Sequence, residues 1–440
     1  ARLAARARFL AAAERELLGP EALDQIEALL KSGQFAPAAA TAADGKLDYE
    51  GFRRLREAAP PAARPYLRAK VFLSMRKDRL GRIESRDFFE ALVRTNERQK
   101  TRISLHHYDS EGKGFLKEQD IEFYIYDLIS SMPMLNKMHE NFVPYYVFTA
   151  VRRFMFFLDP KKSGRMSVDE LASSAVMGEF QALRAMPPTP DVPGGGPAAP
   201  GGPPLGRPPP DPRREKLLAS NWFSLQNSMS VYSMYLGLDE DENGMLNKRE
   251  LLKYEGRKQQ SPSQLTEAFV NRVFEEIITY KMNEDSPESE MDYKTFLDFV
   301  LAMENKNKPQ SLQYFWKLLD VQKSGYLNTF TINYFFRDII KEMEKNNFET
   351  VNVADVRDEI FDMVKPKTPW QITYDDLINS NVGHTIVSML IDVNGFWAYD
   401  NRESLSYDDE EEDNQEEEGG EAAAPSAGGG GASMLGIPSG

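Results

Sequence analysis

A mostly α fold is predicted: tandem helix-loop-helix units in two lobes, with short β-bridges joining the loops in pairs. Three observations carry this. Apolar residues recur at helical spacing, as at Val231, Met234, Tyr235 and Leu238, which fall at i, i+3, i+4 and i+7. Short polar stretches, often centred on a glycine, separate such helices. In the C-terminal half these stretches begin at 239, 284, 320 and 365, two pairs each spaced 45 residues apart.

The most complete stretch is DEDENGMLNKRE, residues 239–250. A calcium loop takes oxygens from positions 1, 3, 5, 7, 9 and 12 and has Gly at position 6. Those positions are Asp239, Asp241, Asn243, Met245, Asn247 and Glu250, with Gly244 at 6. Short Asp and Asn side chains let a tightly wound backbone point oxygens inward. Gly244 can take the positive φ of the turn. Met245 offers its backbone carbonyl, and Asn247 can hold a bridging water. Glu250 is long enough to bind with both oxygens, and Leu246 points into the core. ELLKY then starts a second helix. The alternative is a charged turn that binds no metal, but the full match of positions favours a cage for Ca2+. The unit reads as EF-hand-like.

The other stretches keep parts of this pattern. DVQKSGYLNTFT has Asp320, Gly325 and Leu327, but Gln322 stands at position 3 and Thr331 at position 12. DPKKSGRMSVDE has Asp159, Ser163, Gly164, Met166 and Glu170, with Lys161 at position 3. DSEGKGFLKEQD has Asp109, Glu111, Gly114, Leu116 and Asp120, with Lys113 at position 5. An ammonium in the 159 or 109 cage competes with a cation, and the 320 loop brings only one carboxylate, Asp320, so these three are expected to be structural. TAADGKLDYEG places Gly45 and Leu47, and MRKDRLGRIESRDFF places Gly81 and Ile83. EDSPESEMDYKT and KPKTPWQITYDD carry Met291 and Ile372 at the position-8 place. Up to eight units follow, with loops pairing at position 8. Three carboxylates on one loop set an expected affinity of about 10⁻⁷ to 10⁻⁵ M, the sensor range.

With 440 residues the chain is too long for one ordinary core. Residues 187–212 hold twelve Pro and six Gly and read as a linker or insertion. It separates an N-terminal helical lobe of degenerate units, 1–186, from a C-terminal lobe, 213–405, that holds the complete loop. Residues 406–440 read as an acidic, then Gly/Ala/Ser-rich, disordered tail. The opening ARLAARARFLAAAERELL reads as a helix rather than a transit signal.

Composition excludes several functions. The net charge is −15, but ten Asp or Glu lie between Asp408 and Glu421 with no Lys or Arg, so most of the acidity is a tail. A nucleic-acid partner needs a basic surface and is not expected. No stretch approaches eighteen apolar residues, so no membrane span is expected. There is no Cys, hence no disulfide, thiolate metal site or Cys nucleophile. The four His are His106, His107, His139 and His384, too few for a two-metal hydrolase site. No nucleophile-elbow or phosphate-loop string occurs. The chain is expected not to be an enzyme. DYKTFLDFVLAM, apolar at Tyr293, Phe296, Leu297, Val300 and Leu301, reads as a helix packed in its own core.

Long consecutive segments carry a resemblance. NWFSLQNSMSVYSMYLGLDEDENGMLNKREL, EMDYKTFLDFVLAMENK, LQYFWKLLDVQKSGYLNTFTINYFFRDI and VRDEIFDMVKPKTPWQITYDDLINSNVGHTIVSMLIDVNGFWAYDNRE resemble the B-double-prime regulatory subunits of protein phosphatase 2A. TAVRRFMFFLDPKKSGRMSVDEL does too. The resemblance spans about 65–405 and is nearest the gamma type, which in plants includes the TONNEAU2/FASS proteins. It implies a non-catalytic adaptor that bridges the scaffold subunit and the catalytic subunit and directs the holoenzyme. It implies calcium at Asp239, Asp241, Asn243, Met245 and Glu250, and a second family site on the Asp320 loop, where this chain departs. It also implies centrosomal, microtubule-array, cytoplasmic and nuclear settings. The insertion and the acidic tail depart from the family pattern, and the usual N-terminal extension is expected to be absent or truncated. The repeat alone also permits a calcium-binding cytoskeletal or scaffold protein independent of the phosphatase.

Overall fold

The computed structural model describes residues 2–35, 45–135, 138–184, 212–257, 262–277, 280–281, 289–346, 349 and 351–402. The Pro/Gly-rich stretch up to 211 and the acidic tail lie outside the described residues, as do parts of the loops at 40 and 284.

The chain forms two compact units, 1–245 with 291–304, and 246–290 with 305–440. The first begins with α1 (Arg2–Arg15), α2 (Pro20–Lys31), β1 (Lys46–Leu47), α3 (Tyr49–Ala58), α4 (Ala69–Ser74) and β2 (Ile83–Glu84). It continues through α5 (Ser85–Tyr108), β3 (Phe115–Lys117), α6 (Glu118–Ile129), α7 (Val143–Leu158) and β4 (Arg165–Ser167). Then come α8 (Val168–Ser173), α9 (Ala175–Arg184), α10 (Pro212–Ser220) and α11 (Leu225–Leu238). The chain next forms α12 (Lys248–Leu251), α13 (Glu267–Glu276), β5 (Tyr280–Lys281) and β6 (Ser289–Glu290) in the second unit. It returns to the first for α14 (Tyr293–Glu304). The second unit ends with α15 (Pro309–Leu319), β7 (Tyr326–Leu327), α16 (Thr329–Lys345), α17 (Val353–Val364), β8 (Ile372–Thr373), α18 (Tyr374–Asn379), α19 (Gly383–Ile391) and α20 (Val393–Asp400).

This partition differs from one placed at 187–212. Residues 221–223 belong to the core of the first unit. Phe223 packs on Phe154 and Phe180 with ring centroids 5.1 and 5.0 Å away. Trp222 donates from Nε1 to the Thr149 carbonyl at 3.3 Å, and Asn221 donates to the Glu179 carbonyl at 2.7 Å. Each fully buried aromatic contributes roughly 1.5–3 kcal/mol. These contacts fasten α11 to the first unit, so the chain leaves that unit within the 239–250 loop.

The loops pair as the spacing predicts. Leu47 faces Ile83, Leu116 faces Met166 and Leu327 faces Ile372, each pair antiparallel and buried. Leu246 and Met291, the position-8 residues of the other two loops, are fully buried bridge residues. β5 and β6 pair antiparallel, which the spacing did not foretell. Of the apolar face of α14, Phe296, Leu297, Val300 and Leu301 are fully buried, whereas Tyr293 is half-buried.

Position 9 explains why broken loops still start helices. Asp48, Ser167, Asn247, Asn328 and Thr373 are all N-caps whose side chains accept a backbone N–H of the following helix. At Asn247 and Thr373 the position-12 acid, Glu250 or Asp376, completes a capping box. A cap contributes about 1 kcal/mol without any metal. Part of the metal-loop signature therefore persists for helix initiation alone.

Candidate metal centre

α11 ends at Leu238 with Asp239 as its C-cap, and α12 begins at Lys248, so the loop is clamped by a helix at each end. Its turn needs two left-handed residues, Glu242 at φ 54° and Gly244 at φ 82°. Asp239 fixes this turn, accepting the N–H of Asn243 at 3.1 Å and of Gly244 at 2.9 Å. Asp241 accepts the Asn243 N–H at 3.1 Å, and Asn243 Oδ1 accepts the Met245 N–H at 2.7 Å. Tyr235 reaches in from α11 and donates to the Gly244 carbonyl at 2.8 Å.

One carboxylate oxygen each from Asp239, Asp241 and Glu250 lies within 4.8 Å of the others. Asp239 and Glu250 are buried and Asp241 is exposed. Glu250 is aimed by its capping role, with Oε2 taking the Asn247 N–H at 2.8 Å. Two unit charges about 5 Å apart repel by roughly 3 kcal/mol at an effective dielectric of about 20. A divalent cation among them would reverse that term. Hard oxygens, with neither His nor Cys in the loop, fit Ca2+ and not a soft metal. Asn243 and Met245 lie on the same turn. Asn247 caps α12 with its Oδ1, which accepts the N–H of Arg249 and of Glu250.

The loops at 109, 159 and 320 keep the backbone and lose the cage. Gly112 and Gly114, Lys162 and Gly164, and Lys323 and Gly325 repeat the two left-handed positions. Asp159 and Asp320 accept the N–H groups of positions 5 and 6 as Asp239 does. Position 12 then fails. Glu170 is exposed, and Thr331 is buried without a carboxylate. Among the described residues the 239–250 loop is the one place where three such groups converge.

Protein cations occupy several of the degenerate loops. Lys113 and Lys117 both bond Glu111, at 2.7 and 2.5 Å, and their hydrogen bonds hold its carboxyl down at about 2. Lys113, Lys117 and Arg165 line the small cavity at this loop. At the loop beginning at 76, Asp78 accepts the backbone and side-chain N–H of Arg82, and these bonds hold its carboxyl well below the usual range. Lys46 of the paired loop lies 3.4 Å away. The lysine at position 5 of the 109 loop was legible in the sequence. The second clamp, Lys117 at position 9, was not. The Tyr235 contact also has no signature in the residue pattern.

No catalytic constellation accompanies the loops among the described residues. His106 and His107 close α5; burial pushes the His106 imidazole down, and His107 bonds Glu14 at 3.2 Å. His139 caps a short turn by accepting the Asn141 N–H. Among the described residues no helix is long and apolar enough to cross a membrane.

Comparison with known proteins agrees with this architecture. Residues 99–185 match an EF-hand domain family. The chain is 40% identical over 405 residues to the gamma type of the B'' regulatory subunits of serine/threonine-protein phosphatase 2A from Mus musculus, covering 92% of this chain and 81% of that one. It is 35% identical over 369 residues to TON2 of Arabidopsis thaliana, named as a probable B'' regulatory subunit of the same phosphatase, covering 82% and 70%. A chain of a solved PP2A PR70 holoenzyme shares the fold at a TM-score of 0.50 and 18% identity, over 66% of this chain and 94% of that chain.

Proposed function

The chain belongs to the B'' regulatory subunits of serine/threonine-protein phosphatase 2A, and on that premise we propose that it bridges the scaffold and catalytic subunits and senses calcium through the 239–250 loop. It is a regulatory, non-catalytic subunit. The observation that carries the calcium half is the convergence of Asp239, Asp241 and Glu250 within 4.8 Å on a preformed turn. Bound there, Ca2+ would supply positive charge and tie the two ends of the loop together. Asp239 and Glu250 would hold it from the buried side, Asp241 and Asn243 from the exposed side, and Met245 through its carbonyl. The Asp320 loop, with Gln322 and Thr331, contributes to packing.

The holoenzyme would be directed to its substrates or to centrosomal and cortical cytoskeletal sites, in cytoplasm and nucleus. The family resemblance supports that reading. The test is a pull-down of the full chain from cell extract in free calcium and in chelator, with partners identified by mass spectrometry. Recovery of the phosphatase 2A scaffold and catalytic subunits is expected, in amounts that change with calcium. Retention of cytoskeletal proteins alone would favour a calcium-binding scaffold independent of the phosphatase.

A further inference from the structure

The hydroxyl of Tyr235 faces two carbonyls. It lies 2.8 Å from the Gly244 oxygen, inside the calcium loop, and 3.2 Å from the Met291 oxygen, just before α14. A tyrosine hydroxyl carries one proton, so a single donor serves the loop and the entry to α14 together. Tyr235 is buried on α11, and its ring packs on Tyr293 and Phe296 of α14 at 5.1 and 5.2 Å.

The contacts continue. Tyr293 Oη is 2.9 Å from Thr149 Oγ1 on α7. Further along α14, Asp298 receives both Arg152 Nη2 contacts, at 2.6 and 2.7 Å, and both groups are nearly buried. α14 is thus bonded to α7 at two levels and to the calcium loop through one hydroxyl. Phenylalanine at 235 would keep the ring packing and remove the hydroxyl that the two carbonyls share.

We propose that Tyr235 is a positioning residue for the calcium loop and the link through which its occupancy reaches α14 and then α7. The proposal rests on calcium binding at 239–250. Cation binding draws in the carbonyl at position 7, next to the Gly244 carbonyl that Tyr235 holds. Any movement of that peptide changes how the shared proton divides between Gly244 and Met291. Tyr293 and the Asp298–Arg152 pair carry the change to α7.

The test is deuterium exchange on the full chain and on Tyr235→Phe, in calcium and in chelator, read at 239–250, at α14 and at α7. In the wild type, calcium should slow exchange in the loop, α14 and α7. In the variant it should slow the loop only, and the lost protection at α14 should be up to about tenfold, equivalent to one hydrogen bond. Equal calcium protection of α14 in both proteins would overturn the relay. Absence of protection at the wild-type loop would instead remove the calcium reading beneath it. Should circular dichroism show Tyr235→Phe unfolded, Tyr293→Phe tests the next link. That variant should keep protection in the loop and α14 and lose part of it at α7, where the Asp298–Arg152 pair remains; unchanged protection at α7 would refute the proposal.

Discussion

Lys113 Nζ lies 2.7 Å from Glu111 Oε2, so position 5 of the 109–120 loop answers position 3 with a fixed ammonium. Lys117 at position 9 closes on the other oxygen. The loop holds its turn without a metal, and the Glu111 carboxylate is already met by two ammonium groups. Replacing Lys113 by Asn, Lys117 by Thr and Asp120 by Glu should create a second lanthanide site per chain, read by terbium luminescence. Loss of the exposed pairs themselves should barely change the urea midpoint, because water screens them.

The same pair fixes a pH dependence. Glu111 is held down at about 2, mainly by its hydrogen bonds to Lys113 and Lys117. A depressed carboxyl contributes its stability above the unfolded value near 4.5 and loses it as pH falls through the folded value. The bridge should persist through mild acid and open only as pH approaches about 2. A carboxyl carbon NMR titration should place the Glu111 midpoint there, and in Lys113→Ala with Lys117→Ala it should return toward 4.5.

Gly244 stands at φ 82° with no atom within 4 Å of the position a Cβ would take. Alanine there meets no clash, so its cost is conformational, roughly 1–2 kcal/mol. Urea unfolding of Gly244→Ala in chelator should show that loss. In calcium the gap to wild type should widen, because the strained turn also binds more weakly.

Arg152 and Asp298 form a nearly buried ion pair. Glu118 also meets Arg152, at 3.3 Å, so removing Asp298 leaves a buried guanidinium with one of its two acids and should cost up to about 3 kcal/mol. Asp298→Ala should therefore lower the urea midpoint strongly. Arg152→Met with Asp298→Leu should recover most of the loss, which separates the pair's geometry from its charge.

The convergence of Asp239, Asp241 and Glu250 was legible because the EF-hand loop pattern fixes residue type at fixed spacing. Pairing at position 8 was legible because Leu116, Met166, Leu327 and Ile372 must be apolar to be buried there. The boundary between units was not. Pro and Gly mark where the chain cannot pack, whereas the unit is set by where Trp222 and Phe223 do pack. Trp370 shows a second limit. It stands at the position-6 place of the last loop with φ 61°, and ring contacts to Phe361 and Arg357 hold it there. Tertiary contact overrides a glycine preference in a way that spacing cannot reveal.

Among the described residues, three carboxylates converge at the 239–250 loop, and the proposed calcium site lies there. Titration calorimetry of the full chain with calcium tests it most directly, beside Asp239→Ala with Glu250→Gln. One site per chain is predicted for the wild type, in the range of about 10⁻⁷ to 10⁻⁵ M, and none for the variant. A variant that binds like the wild type, or a wild type that binds two or more ions, would contradict the account.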